Sequence, residues 1–158
     1  MNCPSRILGV DPGTRITGYG IIEEGKLIDF GCIRPPPSLP LHERYLVIHK
    51  GILHLIKTHS PTAFVIETQY VSRNVSSAMK LGMARGVAVL AATLCEIPVF
   101  EYTPSRAKKA VVGNGAASKQ QVQQMIAHLL GLKQVPEPED AADALALAIC
   151  HSHIRGCL

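Results

Sequence analysis

The sequence lacks the cysteine patterns that define a disulfide scaffold or a zinc site. Its five cysteines are an odd number, and no two of them form a Cys-x-x-Cys pair. Neither a disulfide framework nor a zinc knuckle is therefore indicated, and a reducing cytoplasm fits best. A strong charge bias is also absent. The net charge of +4 is compatible with a polyanionic partner but is too small to identify one.

Long hydrophobic runs are missing as well. The chain opens without a signal-peptide core, and its longest apolar stretch, VAVLAATLC at 87–95, is shorter than the ~20 residues of a membrane span. Repeats, low-complexity tracts and linkers are not found. The 158 residues, 47% of them hydrophobic, suffice for one domain that buries roughly 70% of its unfolded surface. We expect a single soluble, cytoplasmic domain over residues 1–158.

Hydrophobic periodicity and turn signals predict an α/β protein. Residues 41–58 and 76–96 have the spacing of helices, and the chain from 103 onward is helical with breaks at 113–115, Pro136 and Pro138. The predicted strands are 7–10, 18–23, 26–33, 63–67 and 97–102. This order predicts a mixed five-stranded sheet flanked by helices.

Four acidic residues stand where such a fold places its chemistry. Asp11 and Glu67 each end an apolar strand, and ligands of open α/β sheets collect at the carboxyl ends of strands. Taken singly, each could equally reach solvent or a backbone turn. Asp140 and Asp143 share one face of the late helix. Asp140 alone fits a favourable first-turn acid, but Asp143 lies in an apolar face, where an unpaired carboxylate is costly.

Together, the four acids could meet at one edge of the sheet. Carboxylates about 4 Å apart repel by ~4 kcal/mol at an effective dielectric near 20, so a positive group must lie between them. An all-oxygen set without cysteine or His-x-x-x-His ligands favours Mg²⁺ or Mn²⁺ over zinc. Two such ions ~4 Å apart would activate a water and stabilise the leaving oxygen of a phosphodiester. The pattern predicts a nuclease.

Five segments in order carry a family resemblance over nearly the whole chain: ILGVDPGTRITGYG, VIETQYVSRN, AMKLGMARGVAVLAA, PVFEYTPSRAKKAVVGNG and DAADALALAICH. The sequence resembles the RuvC family of Holliday-junction resolvases. The resemblance implies a ribonuclease-H-like fold, a homodimer, two divalent cations, and paired symmetric nicking of four-way DNA junctions in recombination and repair. It also implies cooperation with a branch-migration complex of the RuvA and RuvB type. It assigns catalytic metal binding to Asp11, Glu67, Asp140 and Asp143.

Two lysines extend this site by the same resemblance. Lys108 and Lys119 match basic residues that act near the scissile phosphate in the family. Ser118 is a plausible N-cap, so Lys119 could meet a phosphate beside free backbone amides; the alternative is a solvated lysine at a helix start. Arg106 and Lys108 lie on a loop-to-helix segment after the fifth strand and form a local basic patch.

The loop QYVSRN at 69–74 supplies further candidates for DNA contact. Tyr70 occupies the place of a family phenylalanine that wedges into the junction and stacks on bases, although a tyrosine in a loop can also cap a core. For the remaining basic and polar side chains, phosphate contact and a solvated face are both open readings. They are Arg73 and Asn74 in the loop, and Lys80 and Arg85 on the following helix.

The helix at 76–96 also has the features of a dimer interface. Gly82 and Gly86 leave one face bare, and Met79 and Met83 add adaptable apolar surface. Close packing inside the domain is the alternative, but a self-complementary face would supply the two-fold symmetry that paired nicking needs.

His151 could reach the acidic cluster from a later turn, but we leave it outside the catalytic set.

Other classes of protein fit the sequence less well. A sugar-kinase or actin-like ATPase also begins with a strand and an Asp-x-Gly-Thr turn, but it needs a duplicated second half that 158 residues cannot hold. A silent junction-binding protein would have lost one of the four acids. A related ribonuclease-H-like nuclease for other branched or RNA-containing substrates remains the closer alternative, because it would share both fold and acids.

Overall fold

A five-stranded mixed sheet organises the chain. The computed structural model describes residues 5–68 and 73–156. The sheet has the order β3-β2-β1-β4-β5; β1 pairs antiparallel with β2 and parallel with β4, and β4 and β5 are parallel. The strands are β1 (Arg6–Asp11), β2 (Thr17–Glu23), β3 (Lys26–Ile33), β4 (Ala63–Glu67) and β5 (Val99–Tyr102). The predicted mixed sheet is confirmed.

Helices cover both faces of this sheet. They are α1 (Leu41–His59), α2 (Val75–Leu94), α3 (Pro104–Val112), α4 (Lys119–Leu129) and α5 (Glu139–Arg155). The fifth strand begins two residues later than the sequence pattern predicts. The reason is local: Ile97 donates its N–H to the Ala92 carbonyl to close the end of α2, and Pro98 has no N–H to donate.

The alternation of side chains along the strands divides the core in two. On one face Phe64 and Ile66 pack with the buried faces of α1 and α2. On the other face Val65 packs with residues of α3, α4 and α5. Successive residues of β4 therefore point to opposite helical layers, as a strand buried on both faces requires.

Helix α5 lies unusually close to the sheet because glycines face it. A Cβ at Gly9 would lie 2.1 Å from the Ala144 carbonyl oxygen, and one at Gly18 would lie 2.1 Å from that of Asp140. Only glycine permits this approach of two backbones. The helix is buried over nearly its whole length, from Ala141 to Ser152. The glycines thus determine how far its first turn stands from the ends of β1 and β2.

Helix α2 is the most apolar helix at the surface. By length and composition it could cross a membrane, but only 22% of its most hydrophobic window is buried, and one such helix is weak evidence for a span. Its buried side is made of four alanines that pack in the α1 layer, whereas several larger apolar side chains are half or more exposed. They are Val75, Met79, Met83, Leu90 and Leu94. This exposed set is called the α2 apolar face below.

Candidate active site

Asp11 ends β1 at the point where the chain turns away from the sheet. The turn is closed by Thr17, whose buried hydroxyl donates to the Gly13 carbonyl at 2.9 Å and accepts from the Gly13 N–H at 3.2 Å. Burial, followed by the charges of Asp143, Glu67 and Asp140, raises the pKa of Asp11 to about 8, against a smaller lowering by Lys119. All three other predicted acids therefore act electrostatically on this one carboxyl group.

Glu67 and Asp143 line the same cleft. This cleft has a volume of about 220 Å³ and lies between the end of β4, the start of α3 and α4, and the middle of α5. Burial is the largest cause that raises the pKa of each group, and the Asp143 charge also raises the pKa of Glu67. A carboxylate pair held this way resists ionisation unless positive charge enters the cleft.

Asp140 stands in the first turn of α5, one turn before Asp143. Its charge raises the pKa of Asp143 and also that of Cys32, a half-buried thiol on the neighbouring strand β3. Its position in the first turn agrees with a favourable helix-dipole interaction. The structure thus places Asp140 within electrostatic range of both Asp11 and Asp143, beside the β3 edge of the site.

Lys108 and Lys119 bring positive charge to this cleft and both line it. Each lowers the pKa of Glu67 and of Asp143. Lys119 is the first residue of α4, and Ser118 forms the predicted N-cap as part of a full capping box with Gln121. Lys108 and Arg106 lie within α3 rather than on a loop, because Thr103 caps that helix and Pro104 occupies its first turn.

Sequence reasoning missed the partner of Lys119. Its Nζ lies 2.6 Å from the Glu139 carboxylate, which raises the pKa of Lys119. Glu139 directly precedes Asp140 in the acidic run before α5. The acidic run was the only feature of the sequence that pointed to a partner for a lysine, and the fold brings its Glu139 to Lys119 at the start of α4.

The predicted DNA contacts come from the residues just before α2, from α2 itself and from α3. Tyr70 lies outside the described residues. Arg73 and Lys80 are exposed, and the Asn74 side chain accepts from the Ser77 N–H as the N-cap of α2. The other two are partly engaged within the protein: Arg106 lies 5.2 Å from the centre of the Tyr102 ring, and Arg85 pairs with Glu101.

His151 turns away from the acidic cluster. Its Nδ1 lies 2.7 Å from the Tyr102 hydroxyl, and its ring packs against Phe100 at 4.3 Å between centroids. Burial lowers the pKa of His151, so the ring is neutral near pH 7. The alternative in which His151 reaches the acids is not what the structure shows.

The donor set fits a hard divalent cation in its chemistry. The four acids offer only carboxylate oxygens, which suit Mg²⁺ or Mn²⁺, and burial together with the charges of the other three acids raises the pKa of Asp11. Within residues 5–68 and 73–156, no three His, Cys, Asp or Glu side chains form a closed group that could hold a metal as it stands. The acids are therefore gathered at one site but not arranged as a finished ligand set.

The sheet and this acidic cleft define the class of ribonuclease-H-like nucleases. The particular family follows from the sequence: the model of the family described as "Crossover junction endodeoxyribonuclease RuvC" matches residues 7–151. A crossover junction endodeoxyribonuclease RuvC of Protochlamydia amoebophila is 62% identical over 152 residues, which cover 94% of this chain and 90% of that protein. The chain belongs to the RuvC family, whose nucleases are metal-dependent.

Solved structures support the same assignment. The chain is similar to Thermus thermophilus RuvC in complex with a Holliday junction substrate, with a TM-score of 0.89, 32% identity, and coverage of 96% of this chain and 94% of that one. The yeast mitochondrial Holliday junction resolvase Ydc2 gives a TM-score of 0.67 at 14% identity, a likeness of fold alone. The predicted ribonuclease-H-like architecture is confirmed.

Proposed function

We propose that this chain resolves four-way DNA junctions by paired, symmetric nicks, as a single domain acting in homologous recombination and DNA repair. One observation carries the proposal. In a chain of the RuvC family, Glu67 and Asp143 line one cleft with Lys108 and Lys119, and the charges of Asp143, Glu67 and Asp140 all raise the pKa of Asp11. A silent junction-binding protein would not need all four acids.

Asp11, Glu67, Asp140 and Asp143 would hold the metal, which we assign as two Mg²⁺ ions, with Mn²⁺ as a chemically equivalent substitute. Bound divalent cations supply Lewis-acid activation of water and stabilisation of a leaving oxygen. The carboxylates orient the site because each is fixed to a strand end or to the rigid start of α5. Their shared burial keeps bulk water from screening the charges.

The two lysines act on the phosphate itself. Lys108 and Lys119 line the cleft beside Glu67 and Asp143, so they can offset the charge that develops on a phosphoryl group in hydrolysis. Lys119 is best suited to this because it begins α4, where free backbone N–H groups also favour an anion. A nick with a 5′-phosphate and a 3′-hydroxyl, which a ligase can seal, is the expected product.

Junction DNA would reach this cleft over the surface next to β4 and α2. We assign Tyr70 to base stacking at the junction and Arg73, Asn74, Lys80, Arg85 and Arg106 to contact with the DNA backbone. Support differs among them. Arg73 and Lys80 are exposed and cationic, whereas Asn74 and Arg106 also make contacts within the protein. For Arg85 the structure supports another role, argued below.

The test of the proposed function is cleavage of end-labelled four-way junctions beside matched linear duplexes. We expect symmetric nicks at the junction with Mg²⁺ and none with EDTA, because the carboxylates alone cannot activate water. Cutting of linear or RNA-containing duplex instead would assign the protein to the rival nuclease class. Binding without cutting at any junction sequence would identify a silent junction-binding protein.

A homodimer would supply the two active sites that paired nicks require. The α2 apolar face suits a two-fold interface, and a groove of about 590 Å³ between α1 and α2 adjoins it. Gly86 lies on the same helix with open space where a side chain would be. We further assign the protein to the cytoplasm, with a branch-migration complex of the RuvA and RuvB type as its partner.

Met83→Glu should convert this dimer to a 17.0 kDa monomer, because it places a charge in the middle of the α2 apolar face, where Met83 is 57% exposed. Light scattering after size exclusion measures the mass. Thr58→Glu, at an exposed position near the end of α1, adds the same charge elsewhere and should leave the mass unchanged. If Met83→Glu and Thr58→Glu are both dimers, or if the wild type is a monomer at working concentration, this interface is excluded.

A further inference from the structure

The main chain at Glu67 is held by contacts from α2 and β5. Arg85 on α2 donates from Nε to the Glu67 carbonyl oxygen at 3.3 Å. The same guanidinium forms an ion pair through Nη2 with the Glu101 carboxylate on β5. The Arg85 side chain is only 18% exposed, so it is largely inside the protein rather than free at the surface. One planar group therefore joins a helix, the end of β4 and the neighbouring strand.

Arg85 reaches Glu67 from the opposite side of the sheet to the cleft. Along β4, Ile66 packs with the α1 and α2 layer, and Val65 packs with the α5 layer. Alternation then directs the Glu67 side chain to the α5 layer, in agreement with its place in the cleft beside Asp143. Because Arg85 belongs to α2, its contact is with the backbone of Glu67 and not with the reacting side of the carboxyl group.

The next residue is fixed to β5 in the same way. Thr68 donates its N–H to the Tyr102 carbonyl at 2.9 Å, which continues the parallel register in which Glu67 faces Tyr102. The buried Thr68 hydroxyl has no hydrogen-bond partner among the described parts of the chain. Hydrogen bonds to main-chain atoms thus help to anchor this segment, and Arg85 donates one of them to the Glu67 carbonyl.

We propose that Arg85, held by Glu101, is a positioning residue that fixes the main chain of Glu67 and so the placement of its carboxylate in the active site. This inference rests on the proposed nuclease function. It replaces contact with a DNA phosphate as the main role of Arg85. The planar guanidinium is needed because it serves the carbonyl and the carboxylate together, whereas a lysine ammonium lacks the rigid fork that can hold both.

Three variants separate positioning from DNA contact. Arg85→Lys keeps the charge but loses the fork. Glu101→Ala removes the ion-pair partner and one negative charge, so on electrostatic grounds alone it would favour DNA binding. Lys80→Gln is the matched comparison, since Lys80 is an exposed cation on the same helix and its loss should weaken binding and reduce the salt slope by about 1.

Three measurements apply to each variant: junction affinity in EDTA, the single-turnover cleavage rate at saturating enzyme with Mg²⁺, and hydrogen exchange of the Thr68 amide without metal. We expect Arg85→Lys and Glu101→Ala to cut about 10- to 100-fold more slowly, the range seen when a partner that orients a metal ligand is lost. Their affinities should stay within about twofold of wild type, as expected when no phosphate contact is lost. Thr68 should exchange faster in both.

Other outcomes would overturn the assignment. An Arg85→Lys variant that cuts at the wild-type rate would show that charge alone suffices. In a fourth variant, Arg85→Gln, which also removes the charge, weaker binding with a normal saturated cleavage rate would return Arg85 to the DNA contacts. If both variants lose their circular dichroism signal, the role is structural. Should the wild type not cut junctions at all, the nuclease proposal fails, and unchanged Thr68 exchange would then separately refute positioning.

Discussion

We expect Asp11→Asn to slow junction cleavage by more than about 100-fold while junction binding is retained. We take this lower bound because the loss of a residue that only orients a metal ligand already reduces activity or metal affinity by about 10- to 100-fold. Asp11 is the carboxyl group on which all three other acids act. Nicking assays with Mg²⁺ and gel shifts in EDTA measure the two properties on the same junction.

The same substitution should stabilise the metal-free protein at high pH. The pKa of Asp11 is about 8 in the folded protein against an ordinary value of 3.8, so the folded state binds the proton more tightly. Stability therefore falls as pH rises between these two values, and the asparagine variant escapes this loss. In EDTA its melting temperature should exceed that of wild type at pH 8, by about 2–4 °C for each kcal/mol relieved, and match it near pH 4.

Glu24→Gln is the control for the charge change, because Glu24 is exposed in the turn between β2 and β3. It should cut at the wild-type rate and show no gain in melting temperature at pH 8. An Asp11→Asn protein that remains folded but no longer binds the junction would assign Asp11 a structural role. Residual cleavage near the wild-type rate would remove Asp11 from the metal ligands.

Gly9→Ala should destabilise the protein by about 3 kcal/mol or more, the upper part of the range for overpacking. The added Cβ would lie 2.1 Å from the Ala144 carbonyl oxygen and 3.1 Å from the Ala148 nitrogen. Both contacts are backbone atoms of a buried helix and cannot rotate away. Either the sheet or α5 must move, so the midpoint of urea unfolding should fall sharply.

The matched control for this change is Gly86→Ala on α2. Nothing lies within 4 Å of a Cβ at Gly86, and an alanine in a helix interior is favoured by roughly 0.5–1 kcal/mol over glycine. Because Gly86 adjoins the α2 apolar face, both urea unfolding and the mass by light scattering should be measured for Gly86→Ala. If Gly9→Ala unfolds at the wild-type midpoint, the close approach of α5 to β1 is not a fixed feature of the fold.

The glycine contacts also explain how the acids come to share one site. Gly18 admits the carbonyl of Asp140, and Gly9 admits that of Ala144, one residue after Asp143. A bulkier residue at either position would lift the start of α5 away from Asp11. The arrangement of the four acids therefore depends on glycines that carry no reactive group, and a pattern of acids alone does not specify it.

Much of the architecture was determined locally. Short apolar runs between turn residues specify strands such as β1 and β4, and the Ser118 and Gln121 pair specifies the start of α4 through a capping box. The apolar strand that ends in Glu67 is visible in five residues of sequence. Errors occurred where a helix end and a proline shaped the backbone, as at Ile97 and Pro98.

The sequence by itself determined the order of the elements, the four acids and their family. Each of these is written in local spacing or in ordered motifs. Only the tertiary structure decided the partners: Glu139 beside Lys119, His151 beside Tyr102, and Arg85 between Glu67 and Glu101. The reason is physical: the residues next to a charged side chain in the sequence do not determine whether it contacts solvent, DNA or a distant strand. That choice is made when the sheet and the helices pack together and exclude water.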